Sequence, residues 1–543
     1  MIEGAGAAPT MGRMSHADQL RLRLLGIRPV DTLAGWIGPL LVALYAGFLR
    51  FWNLGRPDTL IFDETYYVKQ AWSLLQFGVE HKVLPELADP DATPKVDEIW
   101  ASGNPTVFGT VADFVVHPPV GKWVIAIGEH LGGVENAWSW RIGVAVLGTL
   151  SVLMLARAAR RMFGSTALGV LAGLLLTLDG QHFVLSRTGL LDMSVMFFAL
   201  VAFCALLIDR DASRERLARV VGGWRDAGMH FDDRRMRYGP WLGLRPWRFV
   251  AAVSLGLCIG TKWSGLYFLA VFGLMTVFWD MGARRTAGVH RWRTAAILRD
   301  GPQAALTMVG VALLTYVASW VGWFRSDTGW GRQWAAEHPV DGVAALVPDG
   351  LRSLWKYHVD MWNFHIGLTS HHDYMSNPWS WMLQARPTSF YYEGPSKGQQ
   401  GCLVDQCSKA ITDLGNPAIW WAATLALPVL LFCWALRRDW RAGAILAGLA
   451  AGYLPWFMYQ ERTIFTFYSV AFVPWVVLAV VFAAALIMGP PSASWRRRQW
   501  GLMLVTAYAL VVVAVFVFFW PVYTAQVIPQ DQWSWRMWFR SWI

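Results

Sequence analysis

Two adjacent carboxylates, Asp63 and Glu64, stand among aromatic and apolar residues in IFDETYYVKQAW (61–72), directly after an apolar run of membrane-spanning length. A carboxylate held at a membrane surface can take the proton from an attacking hydroxyl. Charged residues recur near the ends of the later apolar runs: Arg141 at the start of the second, Arg187 and Asp192 in LSRTGLLD, Lys262 in GTKWSG, and Arg462 in YQERTIFTFY. His117 and Lys122 stand in HPPVGK. Each has an ordinary explanation taken singly. Asp is a favoured N-cap and Glu suits the first turn of a helix, and charged residues at span ends snorkel to the interface. Taken together they bring carboxylates and several cations to one membrane surface, which suits a substrate with an anionic head on a lipid tail.

The elements that must position these residues follow from composition. The chain has 543 residues, 55% hydrophobic and 15% charged, with 34 Trp and a mean hydropathy of +0.35. Soluble domains carry about 25% charged residues. Non-alternating apolar runs of roughly 20 residues make this an all-α polytopic membrane protein. Eleven spans are expected, at 33–52, 137–157, 164–181, 188–208, 249–261, 264–280, 302–324, 417–436, 442–459, 465–488 and 501–523. Of 39 Arg, 28 fall on one side, in the N-terminal segment, RAARR (157–161), the 209–248 loop, the 284–299 stretch, RRDWR (437–441) and RRR (496–498). That side is cytoplasmic by the positive-inside rule, so the formal charge of +10 needs no nucleic-acid partner. The division is then a cytoplasmic tail 1–32 with a short surface helix around Leu20–Leu25, spans one to seven over 33–324 including an external loop 53–136, an external loop 325–416, spans eight to eleven over 417–523, and an external tail 524–543.

The 53–136 loop carries twelve acids against five Arg and Lys. Two amphipathic segments in it should lie in the interface plane. In the first, Tyr67, Val68, Ala71, Trp72, Leu74 and Leu75 share one helical face, and Lys69, Gln70, Ser73 and Gln76 the other. The second is HPPVGKWVIAIGEHL (117–131), with a proline suited to a first turn. The 209–247 loop, rich in Arg and Asp, reads as a solvated excursion. Cys204, Cys258 and Cys433 lie inside spans. Cys402 and Cys407 share an external loop and are the one pair placed to oxidise; the sequence leaves open whether they do.

FDET (62–65), HPPVGK (117–122), LSRTGLLD (185–192), KWSG (262–265), HHDYMSNPWSW (371–381) and ERTIFTFYSVAFVP (461–474) resemble, in order and side of the membrane, the motifs of the protein O-mannosyltransferases. The resemblance implies a GT-C fold of about eleven membrane helices in the cell membrane, with an external active site. It implies inverting transfer of mannose from a polyprenyl-phosphate-mannose donor to Ser or Thr hydroxyls of proteins, during translocation in some cases. Eukaryotic members carry a β-trefoil domain in the later loop; at about 90 residues (325–416) this loop is too short for one, and the chain resembles the bacterial, actinobacterial type.

On this reading Asp63 is the base and Glu64 orients it or binds acceptor backbone. Lys262 and Arg462, with Arg187 third, hold the donor phosphate. Arg141 and His117 hold the loop and its carboxylates, Lys122 and Asp192 support them, and His371, His372, Tyr374 and Trp379 shape the sugar or acceptor pocket. No metal ligand set is assigned; a divalent cation, Mg or Mn, held by Asp63 and Glu64 is the alternative. Rival functions are a lipid-phosphate-sugar transferase acting on a glycan or lipid, and a transporter. The latter requires charges at mid-span and broken helices in repeated halves, and the span centres here are nearly free of charge.

Overall fold

The computed structural model describes residues 14–26, 32–89, 91–230, 232–490 and 492–543. Each of the eleven expected runs meets a helix. Among the described residues eight helices are long and apolar enough to cross a membrane: Ala34–Phe51, Ala137–Phe163, Asp192–Asp226, Gly265–Thr286, Trp292–Ser319, Pro417–Ala435, Thr466–Met488 and Trp495–Tyr523. The other three, Thr166–Thr177, Pro246–Ile259 and Trp440–Tyr453, have 12, 14 and 14 residues. A bilayer core requires about 20 helical residues, so by length and composition eight of the eleven expected spans qualify and these three fall short. The first and last of the short helices run on into other turns, Gly180–Leu185 after one and the 3-10 turn Leu454–Met458 after the other.

The fold is not purely helical. In the first external loop β1 (His81–Val83) pairs antiparallel with β2 (Phe108–Ala112). In the second, β3 (Thr388–Glu393) and β4 (Cys407–Asp413) form a hairpin joined by β5 (Val527–Pro529) from the C-terminal segment, in the order β3-β4-β5. Cys402 and Cys407 are disulfide-bonded at the base of that hairpin. Short paired segments satisfy backbone groups that irregular loops would leave bare, and they tie the later loop to the end of the chain.

Both expected amphipathic helices form, as Glu64–Phe77 and Val120–Gly132. The polar face of the first is covered more than its sequence suggests. Lys69 is buried and donates to Thr65 and Asp97, and Ser73 accepts from the backbone of His81. The second helix packs backbone to backbone on the Ala137–Phe163 span: a side chain at Gly128 would meet the Ser139 carbonyl, and one at Gly143 the Val124 carbonyl. Two small residues thereby set the depth of the HPPVGK segment.

The 209–247 segment also departs from expectation, for it is not solvated throughout. Its first part belongs to the 35-residue helix Asp192–Asp226, in which Asp209, Arg210, Asp211, Ser213 and Arg214 are buried. Arg245 bonds to Asp209 at 2.7 Å and to Asp280 at 3.1 Å, Arg248 to Asp280 at 2.7 Å, and Arg284 to Asp300 at 2.6 and 2.7 Å, all of them buried. The helix His16–Leu25 lies on this structure through Leu20 and Leu24; residues 1–13 and 27–31 of the expected tail lie outside the described residues.

Candidate active site

The two carboxylates that stand side by side in sequence part company in space. Glu64 is fully buried. Its carboxylate accepts from Arg141 Nε and Nη2 at 2.8 and 2.7 Å, from the Gly189 N–H at 2.7 Å and from the Ile61 N–H at 3.1 Å. Arg141 spends its remaining N–H groups on the carbonyls of Pro57 at 2.7 Å and Thr59 at 2.9 Å. Glu64 therefore clips the loop, the second span and the LSRTGLLD turn together, rather than reaching an acceptor. Asp63 occupies the N-cap position, yet its side chain makes no capping bond. Phe62 just before it adopts φ +49°, a conformation that costs a non-glycine residue about 1–3 kcal/mol. Phe62 is held there by stacking on Phe390 at 4.7 Å and edge contacts with Phe467 at 5.4 Å and His372 at 6.4 Å. Burial is the main influence on Asp63 and raises its pKa to about 6; nearby Lys262 opposes the shift and Asp192 adds to it.

Lys262 lies between the Pro246–Ile259 and Gly265–Thr286 helices and donates to Asp192 at 2.7 Å. Its ammonium also sits over the rings of Tyr468, Tyr67 and Phe467 at 5.3, 5.8 and 5.9 Å, where ring faces favour a cation. Lys262, Asp192, His117 and Arg462 open together into one cavity of about 720 Å³. The rest of that cavity is apolar, walled by residues such as Leu266, Leu269 and Leu313 from the spans and Trp355 and Trp362 from the external helix Asp349–Gly367. A charged mouth on an apolar trough matches the head and tail of a prenyl phosphate.

Arg462 reaches the cavity from the turn before the Thr466–Met488 span, and its Nη2 lies 3.2 Å from His365 Nδ1. The His365 ring packs on His117 at 5.2 Å and on Trp263 at 6.0 Å. Burial, then the charge of Lys262, pushes His117 well below its ordinary pKa, so it faces the cavity neutral. Tyr67, one turn after Asp63, is pushed well above its ordinary pKa by burial and then by the carboxylate charges of Asp63 and Asp192; it stays a hydroxyl.

The structure thus gathers His117, Asp192, Lys262 and Arg462 around one cavity, with Asp63 within electrostatic reach of Lys262 and Asp192, and it moves others away. Arg187 is not available to a phosphate. Its guanidinium donates to the carbonyls of Leu49, Arg50, Trp52 and Asn53 at 2.7–3.2 Å and so closes the end of the first span, where helix carbonyls lack partners. Lys122 is buried, ion-pairs with Glu80 and donates to the His117 carbonyl at 3.0 Å; it fixes the HPPVGK turn. His372 packs beside Phe62 and Phe465, but His371 and Trp379 project outward, with the Trp379 side chain at 70% exposure. Tyr374 lines a separate cavity of about 330 Å³ between the β3-β4-β5 sheet and the C-terminal segment. Sequence reasoning missed Tyr468 and His365. The signal for His365 was its seven-residue spacing from His358 on one amphipathic helix, and both line the cavity. Among the described residues no group of three His, Cys, Asp or Glu is arranged to hold a metal ion; the Glu64 carboxylate is taken up by Arg141 and the Gly189 and Ile61 N–H groups.

Two family models match the chain: dolichyl-phosphate-mannose-protein mannosyltransferase over residues 40–219, and the C-terminal four-membrane-segment region of protein O-mannosyltransferase over 350–542. A polyprenol-phosphate-mannose–protein mannosyltransferase of Mycolicibacterium smegmatis is 38% identical over 523 residues, covering 95% of this chain and 94% of that one. Its counterparts in Mycobacterium tuberculosis and Corynebacterium glutamicum are 37% and 33% identical over 525 and 521 residues, covering 95% and 92% of this chain. The Saccharomyces cerevisiae Pmt1–Pmt2 complex, solved with its sugar donor, matches with a TM-score of 0.66 at 14% identity, over 97% of this chain and 94% of that one.

Proposed function

This chain belongs to the protein O-mannosyltransferase family, and we propose that it transfers mannose from a polyprenyl-phosphate-mannose donor to Ser or Thr hydroxyls of proteins, inverting the anomeric centre. It is an integral multi-pass membrane protein of the GT-C fold. Its membrane is the cell membrane, with the N-terminus cytoplasmic and the site on the external face, because 28 of 39 Arg lie on the opposite side from the acidic loop.

One observation carries the mechanism: Lys262 and Arg462 line an apolar trough together with Asp192, and Asp63 is close enough to Lys262 and Asp192 to feel both charges. The prenyl tail lies along the trough and the phosphate at Lys262 and Arg462. The acceptor hydroxyl attacks the anomeric carbon from the side opposite the phosphate. As the C–O bond forms, Asp63 takes the hydroxyl proton and the sugar–phosphate bond breaks. A base with a pKa near 6 is ionised at neutral pH yet stronger than an exposed carboxylate, which favours proton transfer. The electron pair leaves with the phosphate oxygen, and fixed cations stabilise that growing charge without reorganising. Lys262 also couples the site to the LSRTGLLD turn through Asp192.

The test is purified protein in detergent with radiolabelled polyprenyl-phosphate-mannose, offered a Ser/Thr peptide, an oligosaccharide or a lipid acceptor. Label in the peptide, alkali-released as mannose, is expected. Label in the glycan or lipid alone would sink the acceptor assignment.

A further inference from the structure

Three of the cations that frame the loop and cavity, Arg141, Lys262 and Arg462, are held in two ways. Arg141 is neutralised by Glu64 and Lys262 is paired with Asp192. Arg462 has no carboxylate partner among the described residues, and its Nε is buried without an acceptor. Its one side-chain hydrogen bond among those residues is to His365 Nδ1, at 3.2 Å. A guanidinium only donates, so Nδ1 must be the acceptor. The proton then sits on Nε2, which donates to the Val116 carbonyl at 2.8 Å. The two contacts fix one neutral tautomer of His365.

Resting on the reading of Arg462 as a phosphate ligand, we propose that His365 is a positioning residue chosen for neutrality: it aims the guanidinium into the cavity while leaving its full positive charge for the donor phosphate. An acid in that place would hold the guanidinium more strongly but would cancel the charge the phosphate needs, as Glu64 does for Arg141. The surroundings keep the imidazole neutral. Burial first, and then the charge of Arg462, lower the His365 pKa to about 4. The ring is packed against His117 and Trp263, which limits its tilt.

The test compares His365→Asn with His365→Asp, two side chains of nearly equal shape. Each can offer an oxygen near the Nδ1 position, and they differ in charge. Under the proposal His365→Asn raises the donor KM by no more than about threefold, and His365→Asp raises it about 10- to 100-fold, the usual worth of a charge-assisted hydrogen bond, while the acceptor KM stays put. Equal donor KM values for the two variants at matched membrane levels would overturn it. Should His365→Asp fail to accumulate, His365→Glu carries the same charge one methylene further out. The second arm repeats His365→Asp in an Arg462→Ala background, where no further loss is expected because the residue acts through Arg462. A retained penalty there would also overturn the proposal. Arg462→Ala alone tests the underlying assignment: an unchanged donor KM in that variant would remove Arg462 from the phosphate site, whatever His365 does.

Discussion

The two ends of this molecule handle charge in opposite ways. In the cluster around the Arg-rich 209–248 segment Arg245 and Arg248 face Asp209 and Asp280, and Arg284 faces Asp300 in a bidentate pair. Each cation has its acid and the charges cancel locally. Near the cavity Asp63 makes no ion pair of 4.0 Å or less among the described residues, and Arg462 is held by a neutral imidazole. A buried pair that balances itself holds helices together, since removing one partner strands the other. Opposite charges kept apart across a cavity have unspent interaction for a ligand. Glu64 and Asp63 repeat the contrast within two residues: one is consumed by Arg141, the other is left without an ion pair among the described residues.

The strongest challenge to this contrast is Asp63→Asn. Asn caps a helix about as well as Asp, so the fold should survive, while mannosyl transfer to a Ser/Thr peptide should fall roughly 100- to 10,000-fold, the usual worth of a general base. Near-normal turnover would return the motif to being a helix start. Arg245→Ala probes the other cluster. It takes the hydrogen-bonding partner from Asp209 and leaves Asp280 to Arg248 alone, and the expected loss is about 3–5 kcal/mol of stability, read as an earlier thermal transition in detergent, with the donor KM of the folded fraction unchanged. A stable but inactive variant would contradict the division. Lys262→Ala sharpens the external side: the donor KM should rise about 10- to 100-fold and the acceptor KM little, because the lost contact is to phosphate.

Acidity offers a graded test. Asp63 works only when ionised, and its pKa is raised to about 6. Transfer should therefore be fully present above that value and drop about tenfold per unit of pH below it. A profile flat down to pH 5 would separate the reaction from this carboxylate. The smallest effect is expected of Trp379→Ala: the side chain is exposed and bonds to Gln460 at 3.2 Å, so transfer should change by less than about twofold. A large loss would extend the site onto the outer surface.

Much of the site was legible in the chain because membrane proteins restrict where charge can stand. Asp63, Lys262 and Arg462 were conspicuous as charges beside apolar runs. Arg187 was conspicuous for the same reason, and only the structure shows its guanidinium spent on the carbonyls that end the first span. The two small sheets were illegible because β1 and β5 have three residues each and pair with distant strands. His365 was hidden by its ordinary place on an amphipathic helix.

By itself the sequence determined the class of molecule, the helical runs, the two external loops and the short list of charged residues at their edges. Hydropathy, arginine placement and local periodicity are properties of neighbours along the chain, and they need no fold to be read. Only the tertiary structure decided which of those charges cancel and which remain for a substrate. Pairing depends on distances between segments far apart in sequence, as between Glu64 and Arg141, Asp192 and Lys262, or His365 and Arg462. The adjacent acids at 63 and 64 are chemically alike in the chain; the fold makes one a clip and leaves the other unpaired among the described residues, within reach of the Lys262 charge.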